Sequence, residues 1–120
     1  MAGIIGDAVH VGERLVRHFL ALWEGPQADM AMAVLLRSAA SNEASAQQMQ
    51  DIFTTQVMPV IAKLGARASA GRRAGLVATQ LLGLALCRYV LRLPPIAQMK
   101  QEDIVKFVGP TIQRYALGSA

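Results

Sequence analysis

Residues 72–93 read RRAGLVATQLLGLALCRYVLRL, and the fold class turns on this stretch. Leu76, Val77, Leu81, Leu82, Leu84, Leu86, Val90 and Leu91 fall on nearly every face of a helix. There is no sustained period-2 alternation, so the spacing predicts a helix rather than a strand. The longest near-continuous apolar run, residues 74–87, is 14 residues long and contains Gln80. A membrane-spanning helix needs about 20. Arg72 and Arg73 precede the run and Arg88 follows it. The reading is a buried helix, not a span. A helix apolar on every face must be covered on every face. One layer of neighbours in a 120-residue chain does not easily do that, which points to a second subunit.

Outward from this helix the chain reads as all-α, with about five helices. The first is expected over Asp7–Trp23, with Val9, Gly12, Val16, Phe19, Leu20 and Trp23 on one face. Asp7 suits its positive end, and Gly25-Pro26 stops it. A second runs over Gln27–Ala39, with Met30, Val34, Leu35 and Leu36 as its apolar face. Ser41 or Asn42 can cap a third, over Glu43–Leu64. Met49, Ile52, Phe53, Val57, Val60, Ile61 and Leu64 form its stripe, and Pro59 should kink or split it. Residues 65–71, GARASAG, read as a loop. Pro94-Pro95 stops the 72–93 helix. The last helix is expected over Gln101–Leu117, with Glu102 and Asp103 in its first turn, a bend at Gly109-Pro110 and a stop at Gly118.

The length sets one domain, residues 1–120, large enough for a real core. At 53% hydrophobic residues and mean hydropathy +0.34, disorder is excluded. Aromatics at 5% argue against a β-sandwich or a base-stacking platform. Cys87 is the single cysteine, so no intrachain disulfide forms, which fits a reducing, cytoplasmic setting. The N-terminus meets charge too early for a signal peptide.

The net charge of +4 is uneven. Residues 1–51 carry six acids against three basic side chains, and residues 52–101 carry seven cations and no acid. Such a stretch can serve phosphates or an anionic ligand. The favoured reading is loop ends and helix termini, with Arg88 and Arg92 at the negative end of a helix.

Catalytic and metal motifs are missing. There is no GxGxxG, GxxxxGK, GxSxG, HExxH or CxxC. His10 and His18 are eight apart, about 12 Å along a helix axis, too far to share a metal. They read as surface or boundary histidines. Cys87 reads as a buried, inert thiol. No cofactor is implied, and the chain reads as a non-enzyme.

Two features remain. Gly75, Thr79 and Gly83 recur at spacing four, a row that lets another backbone approach. That backbone belongs either to a second copy or to the third or fifth helix of the same chain. Trp23, Met30, Leu36, Met49, Phe53 and Gln80 can line a cavity between the first four helices. Methionine adapts its shape, and Gln80 offers a polar handle. The alternative is a filled core and a purely structural dimerisation module.

Residues 72–97, RRAGLVATQLLGLALCRYVLRLPPIA, with EDIVKFVGPTIQRYALG at 102–118, resemble the C-terminal domain of TetR/AcrR-type transcriptional regulators. The nearest subgroup is one common in actinobacteria. GERLVRHFLALWEGP at 12–26 and AVLLRSAASNEA at 33–44 resemble the start of that domain. The resemblance covers roughly Val11 to Gly118. It implies a helical domain that binds a small hydrophobic or amphipathic effector and forms a homodimer. Its last two long helices would form a four-helix contact, placing Gly75, Gly83, Tyr89, Val108, Ile112 and Tyr115 at the interface. It also implies DNA binding only through an N-terminal helix-turn-helix domain, for which the residues before Gly12 are too few.

Overall fold

The computed structural model describes residues 8–26 and 30–118. Asp7 and Gln27, the expected starts of two helices, lie outside them. Six helices are described: α1 (Val11–Glu24), α2 (Ala31–Ala39), α3 (residues 43–62), α4 (residues 70–90), α5 (Pro94–Gln98) and α6 (Gln101–Leu117). Among the described residues there is no strand. The fold is the all-α bundle expected, with one short helix more. No described helix is long and apolar enough to cross a membrane.

Local chemistry sets most of the boundaries. The Gly25 N–H closes α1 on the carbonyl of Ala21 at 2.8 Å, and Pro26 follows. Asn42 caps α3, its Oδ1 accepting from the Ser45 N–H at 3.0 Å. Gly118, at φ 75°, gives α6 a left-handed stop. Glu102 and Asp103 occupy its first turn.

Pro59 does not split α3. Phe53–Val57 widens into a π-turn, and the Met58 N–H donates five residues back to Phe53. Pro59, which has no N–H, then sits at the start of Met58–Ala62, where none is needed. A second π-turn, Leu86–Val90, ends α4, and Arg92 beyond it takes φ 53°. Pro94 and Pro95 do more than stop α4: they fill the first turn of α5, a place proline favours. Pro110 lies inside α6, which runs on to Leu117.

The core joins Val11, Leu15, Val16 and Leu20 of α1 to Val60 and Ile61 of α3. It continues through Ala74, Val77, Leu81 and Leu84 of α4 to Ile104, Val105, Ile112 and Ala116 of α6. Helix α1 lies along α6, and the crossing is built on glycines. A Cβ on Gly12 would stand 2.2 Å from the Gly109 carbonyl oxygen. The Gly12 N–H donates to the Gln113 side chain at 2.6 Å. Gly109 is thus a contact residue against Glu13. Arg17 and Glu102 add a two-point ion pair across the same crossing.

Not every cation sits at a solvated loop end. Arg73 is 4% exposed. It donates to Ser69 Oγ at 2.9 Å and to the carbonyls of Ile61, Ala66 and Ala116 at 3.1, 2.8 and 2.5 Å. Ile61 and Ala116 lie in the last turns of α3 and α6, so one guanidinium caps two negative helix ends.

Among the described residues, nothing covers one side of α4. Leu76 and Leu86 are 43% and 39% exposed, and Cβ atoms on Gly75 or Gly83 would meet nothing within 4 Å. The small-residue row is therefore not packed by α3 or α6. Helix α2 is also lightly packed. Only its Ala33 is buried, while Met30 and Val34 of the expected apolar face are exposed.

Candidate functional site

A cavity of about 330 Å³ lies among α1, α3 and α4, with Met32 of α2 at its edge. From α1 it takes Leu15, His18, Phe19, Leu22 and Trp23, which recur at helical spacing beside the core face. From α3 it takes Met49, Ile52, Phe53, Gln56, Val57, Val60 and Ile61. The π-turn lies in the middle of this wall and shifts the register of the residues on either side. Helix α4 supplies Val77, Ala78, Leu81 and Leu82.

Of the expected lining residues, Trp23, Met49 and Phe53 meet here. Met30, Leu36 and Gln80 lie outside the lining. Met30 is 63% exposed at the start of α2, and Gln80 is exposed on α4. The polar side chains at the cavity are instead His18 and Gln56. His18 was legible only as a boundary residue, because nothing in α1 announces that α3 stops short of it. Burial pushes its pKa below the usual 6.5, which favours the uncharged imidazole.

Trp23 is the best-held wall residue. Its ring stacks on Tyr89 at 4.8 Å with 3° between planes and tilts against Phe19 at 6.0 Å. Its indole N–H is buried and meets no acceptor among the described residues. Tyr89 in turn donates its hydroxyl to Glu24. Glu24 also accepts from Arg88 at 2.8 Å and from Gln101 at 2.9 Å. Arg88 reaches on to the carbonyls of Ile96 and Met99, both at 2.8 Å. This cluster ties the end of α1 to α4, α5 and the start of α6.

Partial burial pushes Glu24 up, but donation from Arg88, Tyr89 and Gln101 outweighs it and pulls the pKa down to about 2. In the unfolded chain the carboxylate protonates near its ordinary 4.5. Its contribution to stability is thus complete above that value and is lost as pH falls toward 2. Glu24→Gln should lower stability at pH 7 by about 1 kcal/mol, a figure discounted for solvent exposure. It should also flatten the loss between pH 4.5 and 2. Urea unfolding at pH 7, 4.5 and 3 checks both.

The residues expected at a dimer contact divide into two groups. Gly75, Thr79 and Gly83 lie on the bare side of α4, with Thr79 bonded back to the Leu76 carbonyl. Val108 and Tyr115 are half-buried on α6, and Tyr115 shares a shallow cleft with Leu76, Arg72 and Arg114. That cleft joins the bare side of α4 to α6. The other two are placed elsewhere. Ile112 is fully buried in the chain's own core, because its face of α6 meets α1. Tyr89 is held within the chain by Trp23 and Glu24. Phe107, 69% exposed on α6, is an outward apolar residue beyond those expected at the contact.

Comparison with known proteins gives one family. Residues 10–116 match the tetracyclin repressor-like C-terminal domain. No curated protein matches the chain, and no solved structure does. Domains of this family generally bind effectors and dimerise within transcriptional regulators. The match spans nearly all of the 120 residues, so the chain belongs to the tetracyclin repressor-like C-terminal domain family.

Proposed function

We propose that this chain senses a small hydrophobic or amphipathic molecule in the α1–α3–α4 cavity and pairs with a second copy through α4 and α6. The observation that carries the reading is the cavity itself. It is apolar, of the size that small ligands occupy, and is walled by α1. In a regulator of this family, α1 follows the DNA-binding domain. The same helix carries Phe19, Trp23 and His18 at the cavity and Gly12 and Arg17 at the α6 crossing. A ligand that displaces α1 therefore works against α6 and the paired subunit. To weaken operator binding 100-fold it must favour the incompetent arrangement by about 2.7 kcal/mol. Trp23, Met49, Phe53, His18 and Gln56 are the proposed contacts. The chain acts as a regulatory domain and carries out no reaction.

Pairing rests on the bare side of α4. Leu76, Thr79, Gly83 and Leu86 would meet their counterparts, with Val108, Tyr115 and Phe107 of α6 at the margin. Gly83→Arg tests it, because a Cβ at this position meets nothing within 4 Å among the described residues. The variant should keep its helix content, since arginine favours a helix over glycine by roughly 0.5–1 kcal/mol. It should elute as a monomer where the parent elutes as a dimer. For the cavity, native mass spectrometry against a small hydrophobic library should find a ligand bound one per chain. Absence of any binder would favour a purely structural dimerisation module.

A further inference from the structure

Resting on the reading of the cavity as a ligand site, we infer that its ligand is an uncharged amphiphile with one polar end, seated apolar end first, so that the polar end stays at an open rim. The exposure of the lining gives the direction. Leu15, Val60, Ile61, Val77 and Leu81 are no more than 8% exposed and belong to the core cluster, so they form a closed, apolar floor. Leu22, Gln56 and Leu82, one from each wall, are exposed and mark the side open to solvent among the described residues. The gradient is plainest on α1. Leu15 is 6% exposed, His18 is half-buried and Leu22 is 53% exposed, each about one turn further along. From Leu15 to Leu22 the helix rises about 10 Å. An extended chain advances about 1.2 Å per bond, so about eight carbons reach from rim to floor. A polar group carried to the floor would lose its water and meet no polar side chain there. Left at the rim, it keeps its water, with the Gln56 side chain on the same wall. No Lys, Arg, Asp or Glu lines the cavity among the described residues, and burial favours the uncharged form of His18, so a charged head gains no counter-ion.

Straight-chain probes test this on the unmodified chain. By calorimetry, affinity should rise roughly fourfold with each methylene from 1-butanol to 1-octanol, the gain from burying one CH₂. The compound 1,8-octanediol, which would carry a second hydroxyl to the floor, should bind roughly tenfold more weakly than 1-octanol. Octanoate should also bind roughly tenfold more weakly. Intermolecular nuclear Overhauser contacts read the direction. The terminal methyl of 1-octanol should touch the methyls of Val60, Val77 and Leu81, and its C1 methylene those of Leu22 and Leu82. The reverse pattern, an affinity flat with chain length, or a diol bound as tightly as 1-octanol overturns the apolar-end-first seating while leaving the cavity as a ligand site. Octanoate bound as tightly as 1-octanol overturns the uncharged class. Binding of none of the three eight-carbon probes by the folded chain, or contacts confined to residues outside the cavity, overturns the ligand-site reading itself.

Discussion

Gly12→Ala should destabilise the fold by about 2–4 kcal/mol, although alanine is the better helix former. The gain in helix propensity is about 1 kcal/mol. Against it, the new Cβ would stand 2.2 Å from the Gly109 carbonyl oxygen and 2.6 Å from the Gln113 backbone nitrogen. Both obstacles are backbone, so no side chain can swing aside. Helices α1 and α6 must part, loosening Val11, Leu15 and Val16 against Ile112 and Ala116, all in one buried cluster. Separation also breaks the bond from the Gly12 N–H to Gln113, leaving an N–H in the first turn of α1 without that partner. Overpacking of this kind costs up to about 3 kcal/mol or more. Gly83→Ala is the matched control. It changes the same atoms in a helix whose surroundings are open within the chain. A monomeric background carrying it should be unchanged or slightly more stable. Thermal unfolding of the two variants should therefore differ by about 10 °C or more.

Arg73→Met should cost about 3–5 kcal/mol, a large share of the stability of a domain this size. Methionine fills much of the space but makes none of the four hydrogen bonds. The carbonyls of Ile61 and Ala116 would stay buried and lose a charged donor, and each such bond contributes about 1.5–3 kcal/mol. The ends of α3 and α6 would then face each other with no cation between them. Arg73→Lys should recover only part of the loss, since one ammonium does not reproduce the planar fork that serves Ser69, Ile61, Ala66 and Ala116 together. The neighbour sets the scale. Arg72 is exposed, and Arg72→Met should stay within about 0.5 kcal/mol of the parent. Chemical denaturation of the three variants checks the order.

These two positions also show what was and was not legible in the sequence. Helix identity follows from local patterns: the stop at Gly25-Pro26, the cap at Asn42, the left-handed end at Gly118 and the apolar rod over 72–93 are each decided by a few neighbouring residues. The resemblance carried by residues 72–97 and 102–118 points to the same domain, and the match over residues 10–116 bears it out. Arg73 was not legible as a buried residue. An arginine beside another arginine reads as solvated, and only the meeting of two helix ends over it makes burial favourable. Gly12 reads from the sequence as one residue of an apolar face, because close approach depends on Gly109, almost a hundred positions away. Pro94-Pro95 reads as a stop, but proline begins helices as well as ending them, and here the pair opens a new one.

The cavity divides in the same way. Trp23, Met49 and Phe53 are large, soft side chains on amphipathic helices, and they do line it. Gln80 stood out as a polar residue in an apolar run, but it is exposed on α4, outside the cavity wall that Val77, Ala78, Leu81 and Leu82 supply. Gln56 carries the polar position in its place, set by a π-turn that no composition signal marks. Ile112 shows the same limit on the dimer face. It lies on α6 as expected, but in the chain's own core rather than on an outward face.

Sedimentation equilibrium of the unmodified chain at micromolar concentration tests most directly whether the bare side of α4 exists to receive a second copy. A mass near twice 12.9 kDa, falling to 12.9 kDa for Gly83→Arg with its helices intact, is the expected result. A parent chain that sediments at 12.9 kDa across that range would contradict it.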